Sequence, residues 1–176
     1  RIITVGYRPD GLPFSYEADD SKKPVGYAID ICRQLIGKLQ QTMGLPQLDI
    51  QYRAINGQTR FTDLANGAID VDCSNTTNTK ERRLTKHVAF SMPYYIAGVR
   101  ILTQAGSKIA DTDDLSGKRV MTTKGTTSLK VLEQKAASSG LKMQQSECVT
   151  HGDCFAAVQN GKVDAWLMDD IVLAAF

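Results

Sequence analysis

A polar segment, residues 72–83, has the residue types that bind a small anion. The apolar and acidic alternation of residues 69–72 predicts a short strand leading into it. Hydroxyl, amide and backbone N–H groups follow at residues 74–77, and Asn78 or Thr79 is placed to cap a helix. Together with an arginine at a helix start, these groups favour a carboxylate as the ligand.

Arg82 and Arg83 fall in the first turn of that predicted helix, with Glu81 in or near the capping-box position. Positive charge there opposes the helix dipole, which favours negative charge at a helix N-terminus. Charge that is unfavourable for the helix, placed where a strand leads into it, indicates that the arginines serve a ligand-binding site. A surface helix with a basic first turn is the alternative, and this segment alone does not separate the two.

Composition narrows the function classes. The chain has 176 residues, 42% hydrophobic and 23% charged, which suits one large domain or two small lobes. A net charge of +2, with both signs mixed along the chain, argues against nucleic acid or an anionic membrane surface as the main partner. No apolar run reaches the roughly 18 residues of a spanning helix. The strand-like opening at residues 2–5 leads us to expect a mature or trimmed chain.

The cysteines favour a disulfide over a metal site. The chain has four cysteines and two histidines: Cys32, Cys73, Cys148, Cys154, His87 and His151. No Cys-x-x-Cys pair occurs and the histidines lack ligand spacing, so no metal is predicted. Cys148 and Cys154 are near enough in sequence to pair in an oxidising compartment, and two buried thiols are the alternative. Whether Cys32 and Cys73 are free stays open.

Strand and helix patterns alternate through the first half. Residues 2–7 predict a buried strand, residues 48–52 an alternating one, and Thr59 begins a short helix. A longer helix opens at Gly26 with one apolar face: Ala28, Ile31, Cys32, Leu35, Ile36 and Leu39. This order is typical of a parallel sheet with crossover helices, and residues 8–13 predict a loop.

The second half repeats the pattern after an extended crossing segment, residues 96–102. Strands are predicted at 119–122, 141–145 and 163–168, with helices after Thr127 and over 153–160. The motif Phe-x-x-Leu, Asn-Gly, Ile-Asp of residues 61–70 recurs 94 residues later as Phe-x-x-Val, Asn-Gly, Val-Asp. We therefore predict two related α/β lobes, residues 1–97 and 98–176, whose strand ends face one ligand cleft.

The candidate ligand-binding residues sort by charge. Thr77, Arg82 and Thr127 suit one carboxylate, Asp169 an ammonium, and Arg8, Arg60 and His151 a second anion; Asn75 lies at the repeat position opposite Asp169. An α-amino acid carries the first two groups. Each residue has an ordinary alternative: the two arginines as solvated surface cations, Thr127 as a plain N-cap, and Asp169 as a cap of the last helix with Asp170. No catalytic set is evident, so an enzyme is not predicted.

The ordered motifs of the chain resemble the periplasmic amino-acid-binding proteins of bacterial ABC importers, most of all the glutamate/aspartate-binding branch. They are Val5-Gly6-Tyr7-Arg8, Pro13-Phe14-Ser15-Tyr16, Val25-Gly26-Tyr27, Asn66-Gly67, Thr76-Thr77-Asn78 with Glu81-Arg82, Gly125-Thr126-Thr127-Ser128, His151-Gly152-Asp153 and Met168-Asp169-Asp170. The resemblance covers nearly the whole chain and implies a two-lobe α/β fold that closes on its ligand.

That resemblance implies a monomer without cofactor or metal that binds L-glutamate or L-aspartate and delivers it to a membrane permease. It implies that Arg82, Thr77 and Thr127 bind the α-carboxylate, Asp169 the ammonium, and Arg8, Arg60 and His151 the side-chain carboxylate. Gly57 and Asn75 stand where serine is usual, which leaves the choice between the two acids open. The family also continues beyond the point matched by Phe176, so we expect a C-terminal part to follow. A ligand-sensing domain of a receptor or sensor kinase, or a periplasmic dehydratase-like enzyme on the same fold, is the alternative.

Overall fold

The computed structural model describes all of residues 1–176. The chain divides into two compact units, Arg1–Tyr94 (unit 1) and Tyr95–Phe176 (unit 2). The sequence predicts this division after residue 97, whereas the structure has it after residue 94. None of the helices combines the length and apolar character that crossing a membrane would require.

Unit 1 is built on a three-stranded parallel sheet in the order β5-β1-β6. Its elements are β1 (Ile2–Tyr7), β2 (Asp10–Gly11), β3 (Ser15–Glu17), β4 (Pro24–Val25), α1 (Tyr27–Thr42), β5 (Asp49–Ala54), α2 (Arg60–Ala65), β6 (Val71–Asp72) and α3 (Lys80–Thr85). Strands β2, β3 and β4 form a small antiparallel sheet beyond the end of β1. The sequence predicts a loop at residues 8–13, where β2 lies, and no strand at β3 or β4, because two- and three-residue strands are too short to show a period of two.

Helix α1 packs on the parallel sheet through a narrower stripe than predicted. Ala28, Ile29 and Ile36 are buried, and Ile29 and Ile36 lie in one core with Val5. Leu35 and Leu39, predicted on the inner face, are 59% and 42% exposed. The apolar period identified the helix correctly, but its outer flank is covered by nothing in unit 1, so the prediction for these two residues is wrong.

Unit 2 is built on a four-stranded sheet in the order β7-β10-β8-β9, with β7 antiparallel to β10 and the other pairs parallel. Its elements are β7 (Val99–Leu102), a 3-10 helix (Thr112–Leu115), β8 (Arg119–Thr123), α4 (Ser128–Ser139), β9 (Gln144–Cys148), α5 (His151–Gln159), β10 (Ala165–Asp169) and α6 (Asp170–Leu173). Two such α/β units agree with the predicted fold class.

Helix α5 begins earlier than predicted because of a capping box. Thr150 Oγ1 accepts from the backbone N–H of Asp153 at 3.0 Å, and the Asp153 carboxylate accepts from the N–H of Thr150 at 3.2 Å. This reciprocal pair satisfies N–H groups that a helix start leaves without partners. His151 is therefore the first residue of a helix that begins two residues before its predicted start at residue 153.

The sequence repeat corresponds to a repeated structural motif. In each unit a helix ends at an Asn-Gly pair whose glycine has positive φ, 73° in unit 1 and 67° in unit 2. The aspartate that follows then accepts from the backbone of a neighbouring strand: Asp70 from the N–H of Thr4 at 2.7 Å, and Asp164 from the N–H of Arg119 at 2.8 Å. The two units thus share one way of joining a helix to the next strand.

Candidate functional site

Unit 1 has three buried arginines at one edge of its parallel sheet. Arg8 follows β1, Arg60 is the first residue of the helix after β5, and Arg82 lies in the helix after β6. They are only 1%, 2% and 8% exposed, although arginine is almost never buried without partners. The carboxyl ends of parallel strands form the usual ligand-binding edge of an α/β sheet. The alternative of solvated surface cations is therefore excluded for Arg8 and Arg60, and burial of Arg82 likewise speaks against a plain surface helix.

Arg8 is fixed by the small antiparallel sheet. Its backbone N–H donates to Ser15 Oγ at 2.8 Å, and that hydroxyl donates back to the carbonyl of Arg8 at 3.1 Å. Its guanidinium donates through Nε and Nη2 to one oxygen of Asp10, at 3.0 and 2.8 Å. Asp10 was not among the predicted site residues.

Arg60 and Arg82 both stack on Phe61, with guanidinium carbons 5.2 and 5.3 Å from the ring centroid. Arg60 Nη1 donates to Thr76 Oγ1 at 2.8 Å, and Arg82 Nη1 donates to the carbonyl of Thr77 at 2.9 Å. Stacking and these hydrogen bonds hold both groups in place, and a guanidinium has five N–H donors that can bind protein and ligand together.

The polar segment after β6 is organised by Asp72. Its two carboxylate oxygens accept from the hydroxyls of Ser74 and Thr76, each at 2.5 Å. Thr76 therefore donates to Asp72 while it accepts from Arg60, which joins the segment to α2. Since the three residues alternate along the chain, an extended backbone places their side chains on one side.

A disulfide and a helix cap hold the two ends of this segment. Cys73 pairs with Cys32 of α1, with a Cα–Cα distance of 6.2 Å, and the sequence had left both cysteines unassigned. At the other end Thr79 caps α3, because its Oγ1 accepts from the backbone N–H of Arg82 at 3.1 Å. Arg82 holds the third helical position, so Glu81 is one residue too early for a capping box.

Asn75 and Thr77 lie between these fixed points. Asn75 Oδ1 is buried and has no hydrogen-bond partner. A Cβ atom on Gly11 would lie 3.5 Å from this oxygen and 3.2 Å from the Cβ of Arg8, so Asn75 and Arg8 are neighbours across a glycine. Thr77 is exposed and contributes its carbonyl to Arg82. All five predicted residues of unit 1 are thus brought to the same edge of the sheet.

An aromatic cluster lies beside the segment. The rings of Phe14, Tyr27 and Tyr94 have centroids 5.9 to 6.4 Å apart. The Tyr94 hydroxyl donates to the carbonyl of Ser74. Burial first, and then the nearby Asp72 carboxylate and Tyr27, raise the pKa of Tyr94, so it is a neutral hydrogen-bond donor. The cluster supports the polar segment on an apolar surface.

The candidates of unit 2 also follow the carboxyl ends of parallel strands. Thr127 opens α4 after β8, His151 opens α5 after β9, and Asp169 ends β10. Neither Thr127 nor Asp169 uses its side chain to cap the helix that it precedes. The carboxylate of Asp170 instead accepts from the backbone N–H groups of Gly98 and Ile171, at 3.2 and 2.7 Å. Thr127 and Asp169 thus occupy the N-cap positions of α4 and α6 without a side-chain capping hydrogen bond, and their roles as ligand-binding residues stay predictions.

His151 is 0% exposed and belongs to a buried polar group in unit 2. Its Nδ1 lies 3.0 Å from Thr123 Oγ1, which also accepts from Trp166 Nε1 at 3.2 Å. The pairing predicted for Cys148 and Cys154 is present, with a Cα–Cα distance of 5.5 Å. This disulfide joins the end of β9 to the first turn of α5, next to His151. A role for His151 in contacting a ligand stays a prediction.

Sequence analysis gave no individual role to several residues that organise the site. They are Asp10, Asp72, Ser74, Thr76 and Thr123. For Asp72, Ser74 and Thr76 the signal was available as a polar alternation, whereas Asp10 falls in a predicted loop, where no pattern fixes the direction of a side chain. No group of three or more His, Cys, Asp or Glu side chains is arranged to hold a metal ion.

Comparison with known proteins identifies the class. Residues 3–136 match the bacterial extracellular solute-binding proteins, family 3. The chain is 36% identical over 171 residues to an L-glutamate/L-aspartate-binding protein of Pseudomonas aeruginosa, covering 97% of this chain and 56% of that protein. It is 35% identical over 173 residues to a glutamate/aspartate import solute-binding protein of Escherichia coli, covering 98% and 56%.

A solved structure, an ancestral arginine-binding protein bound to glutamine, superposes with a TM-score of 0.83 at 29% identity. That match covers 99% of this chain and 72% of the other. The chain belongs to family 3 of the bacterial extracellular solute-binding proteins, as the ordered motifs predicted, and these relatives have the names of binding proteins rather than enzymes. The chain spans about half the length of the curated relatives named here.

Proposed function

We propose that this protein binds an acidic L-amino acid, glutamate or aspartate, outside the cytoplasm and delivers it to the permease of an ABC importer. The observation that carries the proposal is the set of three buried arginines at the carboxyl edge of the unit 1 sheet, 1%, 2% and 8% exposed. Burying a guanidinium is unfavourable unless anions or hydrogen-bond acceptors answer it. Three such groups at a ligand-binding edge suit a ligand with two carboxylates.

The roles follow from the contacts of each residue. Arg82, held on Phe61 and on the carbonyl of Thr77, binds the α-carboxylate with the Thr77 and Thr127 hydroxyls. Asp169 binds the α-ammonium. Arg8 and Arg60 bind the side-chain carboxylate. That the residues of both units serve one ligand, with His151 and Asn75 completing the set, is part of this proposal.

The names of the relatives support the ligand class. Two of them are named for glutamate and aspartate, and the two disulfides of this chain suit an oxidising compartment such as the periplasm. The ancestral arginine-binding protein in complex with glutamine is the reason to test neutral and basic ligands as well.

Calorimetric titration of the full-length protein with L-glutamate, L-aspartate, L-glutamine, L-arginine and L-leucine tests the proposal. Charge-assisted hydrogen bonds contribute roughly 1.5–3 kcal/mol each, so an acidic ligand should bind at least about tenfold more tightly than arginine or leucine. Tightest binding of a neutral or basic amino acid would overturn the proposed ligand class.

A further inference from the structure

We propose that Asp10 is a specificity-determining residue that offsets the charge of Arg8 and so narrows the preference for an acidic over an amide side chain. This rests on the proposed function, since it concerns the residue expected to meet the ligand's side-chain carboxylate. Neither the residue pattern of the chain nor the resemblance to its family assigns Asp10 a role.

The contact between the two residues is direct and sheltered. Arg8 donates through Nε and Nη2 to the same carboxylate oxygen of Asp10, at 3.0 and 2.8 Å. The side chain of Arg8 is 1% exposed and that of Asp10 24% exposed. Solvent and salt screen such a pair much less than they screen a surface ion pair. Asp10 therefore neutralises part of the positive charge of Arg8 in the ligand-free protein.

Backbone structure keeps the two side chains together. Asp10 lies in β2 and pairs with Tyr16 of β3, while the backbone of Arg8 exchanges two hydrogen bonds with the hydroxyl of Ser15. The pair is therefore part of the small sheet of unit 1 and does not depend on a chosen rotamer of a mobile loop.

Arg60 is linked to the carboxylate of Asp72 through a hydroxyl. It donates to Thr76, and Thr76 donates to Asp72, so a hydroxyl stands between that arginine and that acid. Asp10, in contrast, touches the guanidinium of Arg8 itself. Asp10 is thus the carboxylate placed to repel a second carboxylate brought to Arg8 by a ligand.

Comparison of the affinities for glutamate and glutamine reveals this repulsion, because the two ligands have nearly the same shape and differ in side-chain charge. Two carboxylates that share one guanidinium lie about 6 Å apart, where their repulsion weakens binding roughly 3-fold at the dielectric constant of water and roughly 100-fold at an effective value of about 20. Glutamine has no such repulsion. The Asp10 carboxylate should therefore lower affinity for glutamate and leave affinity for glutamine nearly unchanged.

The experiment compares the full-length wild-type protein with Asp10→Asn by calorimetric titration with L-glutamate and L-glutamine. Asparagine keeps an oxygen that accepts from Arg8 and removes the charge. The ratio of the glutamine Kd to the glutamate Kd should rise at least about 3-fold in the variant. Asp10→Ser, which also removes the charge, should change the ratio in the same direction if Asp10→Asn folds poorly.

Two controls separate a local effect from a general one. Asp10→Glu keeps the charge and should keep a ratio close to that of the wild type. Asp30→Asn removes an equal charge from an exposed pair with Arg33 on α1 and should leave the ratio unchanged. If wild type binds glutamate but neither neutral variant shifts the ratio, or Asp30→Asn shifts it equally, the role of Asp10 is overturned. If the wild type binds neither glutamate nor glutamine, the same comparison is made with L-aspartate and L-asparagine; failure of the wild type to bind any of the four overturns the proposed function and the role of Asp10 with it.

Discussion

Removal of the Cys32–Cys73 disulfide should destabilise unit 1 by more than removal of Cys148–Cys154 destabilises unit 2. The cysteines of the first pair are 41 residues apart in sequence and those of the second pair 6. In the chain-entropy model, closing these loops contributes about 4 and about 2 kcal/mol of stability at 25 °C. Reduction should therefore affect the unit with the three buried arginines more strongly.

The effect on binding should follow the same order. Cys73 lies near the start of the polar segment that contains Ser74 and Thr76, so loss of its bond to Cys32 leaves the segment to be ordered when the ligand binds. Each side chain that binding must immobilise costs about 0.5–1.5 kcal/mol. We expect Cys32→Ser/Cys73→Ser to weaken amino-acid binding roughly tenfold, from the ordering of one or two such side chains.

Chemical denaturation measures the stability effect. Trp166, the single tryptophan, is buried in unit 2, so its fluorescence follows unit 2 while far-ultraviolet circular dichroism follows both units. For the Cys32→Ser/Cys73→Ser protein, the free energy of unfolding obtained from the circular dichroism transition should fall by the larger amount. Cys148→Ser/Cys154→Ser should shift the fluorescence transition by the smaller amount. Equal losses, or a loss below about 1 kcal/mol for the longer loop, would refute this reasoning.

Two further predictions concern unit 1. The hydroxyl of Tyr7 donates to Glu17 at 2.6 Å, and burial together with this carboxylate raises the pKa of Tyr7 to about 12. Because the folded pKa is raised, the stability that Tyr7 contributes is complete below pH 10 and is lost as pH rises towards 12; Tyr7→Phe should remove this loss in thermal unfolding followed across that range. Arg60→Gln should lower affinity for glutamate about tenfold or more and affinity for glutamine less, because it removes a charge-assisted hydrogen bond to the side-chain carboxylate. Equal losses of affinity for the two ligands in titration would show that Arg60 does not contact the side-chain carboxylate.

Much of the fold could be predicted from the sequence because its signals are periodic. The apolar period of α1 and the alternation of helix and strand patterns identified both α/β units. Periodicity alone does not say which flank of a helix is covered, and Leu35 and Leu39 were accordingly misplaced. The strands β2, β3 and β4 have at most three residues, and their pairing depends on contacts that no local pattern contains.

The site was predictable in its residue types and less so in its connections. The charged residues at strand ends and helix starts, Arg8, Arg60 and Arg82, are visible in the sequence. The partners that hold these arginines are distant in sequence and meet them only in the folded chain, as Thr76 meets Arg60 across 16 residues. Asp10 shows the same limit at short range, since a loop prediction gave no reason for its side chain to point towards Arg8.

The central claim, that Arg82 binds the carboxylate common to all amino acids, is tested most directly by titrating Arg82→Ala, Arg82→Lys and Arg83→Ala with L-glutamate. Arg83 is the matched control, because it is exposed on the same helix and donates to Asn78. Loss of two charge-assisted hydrogen bonds should weaken binding to Arg82→Ala by about 100-fold or more, with a smaller loss for Arg82→Lys and near-native binding for Arg83→Ala. Near-native affinity in a folded Arg82→Ala protein would contradict the assignment of Arg82 as the anchor.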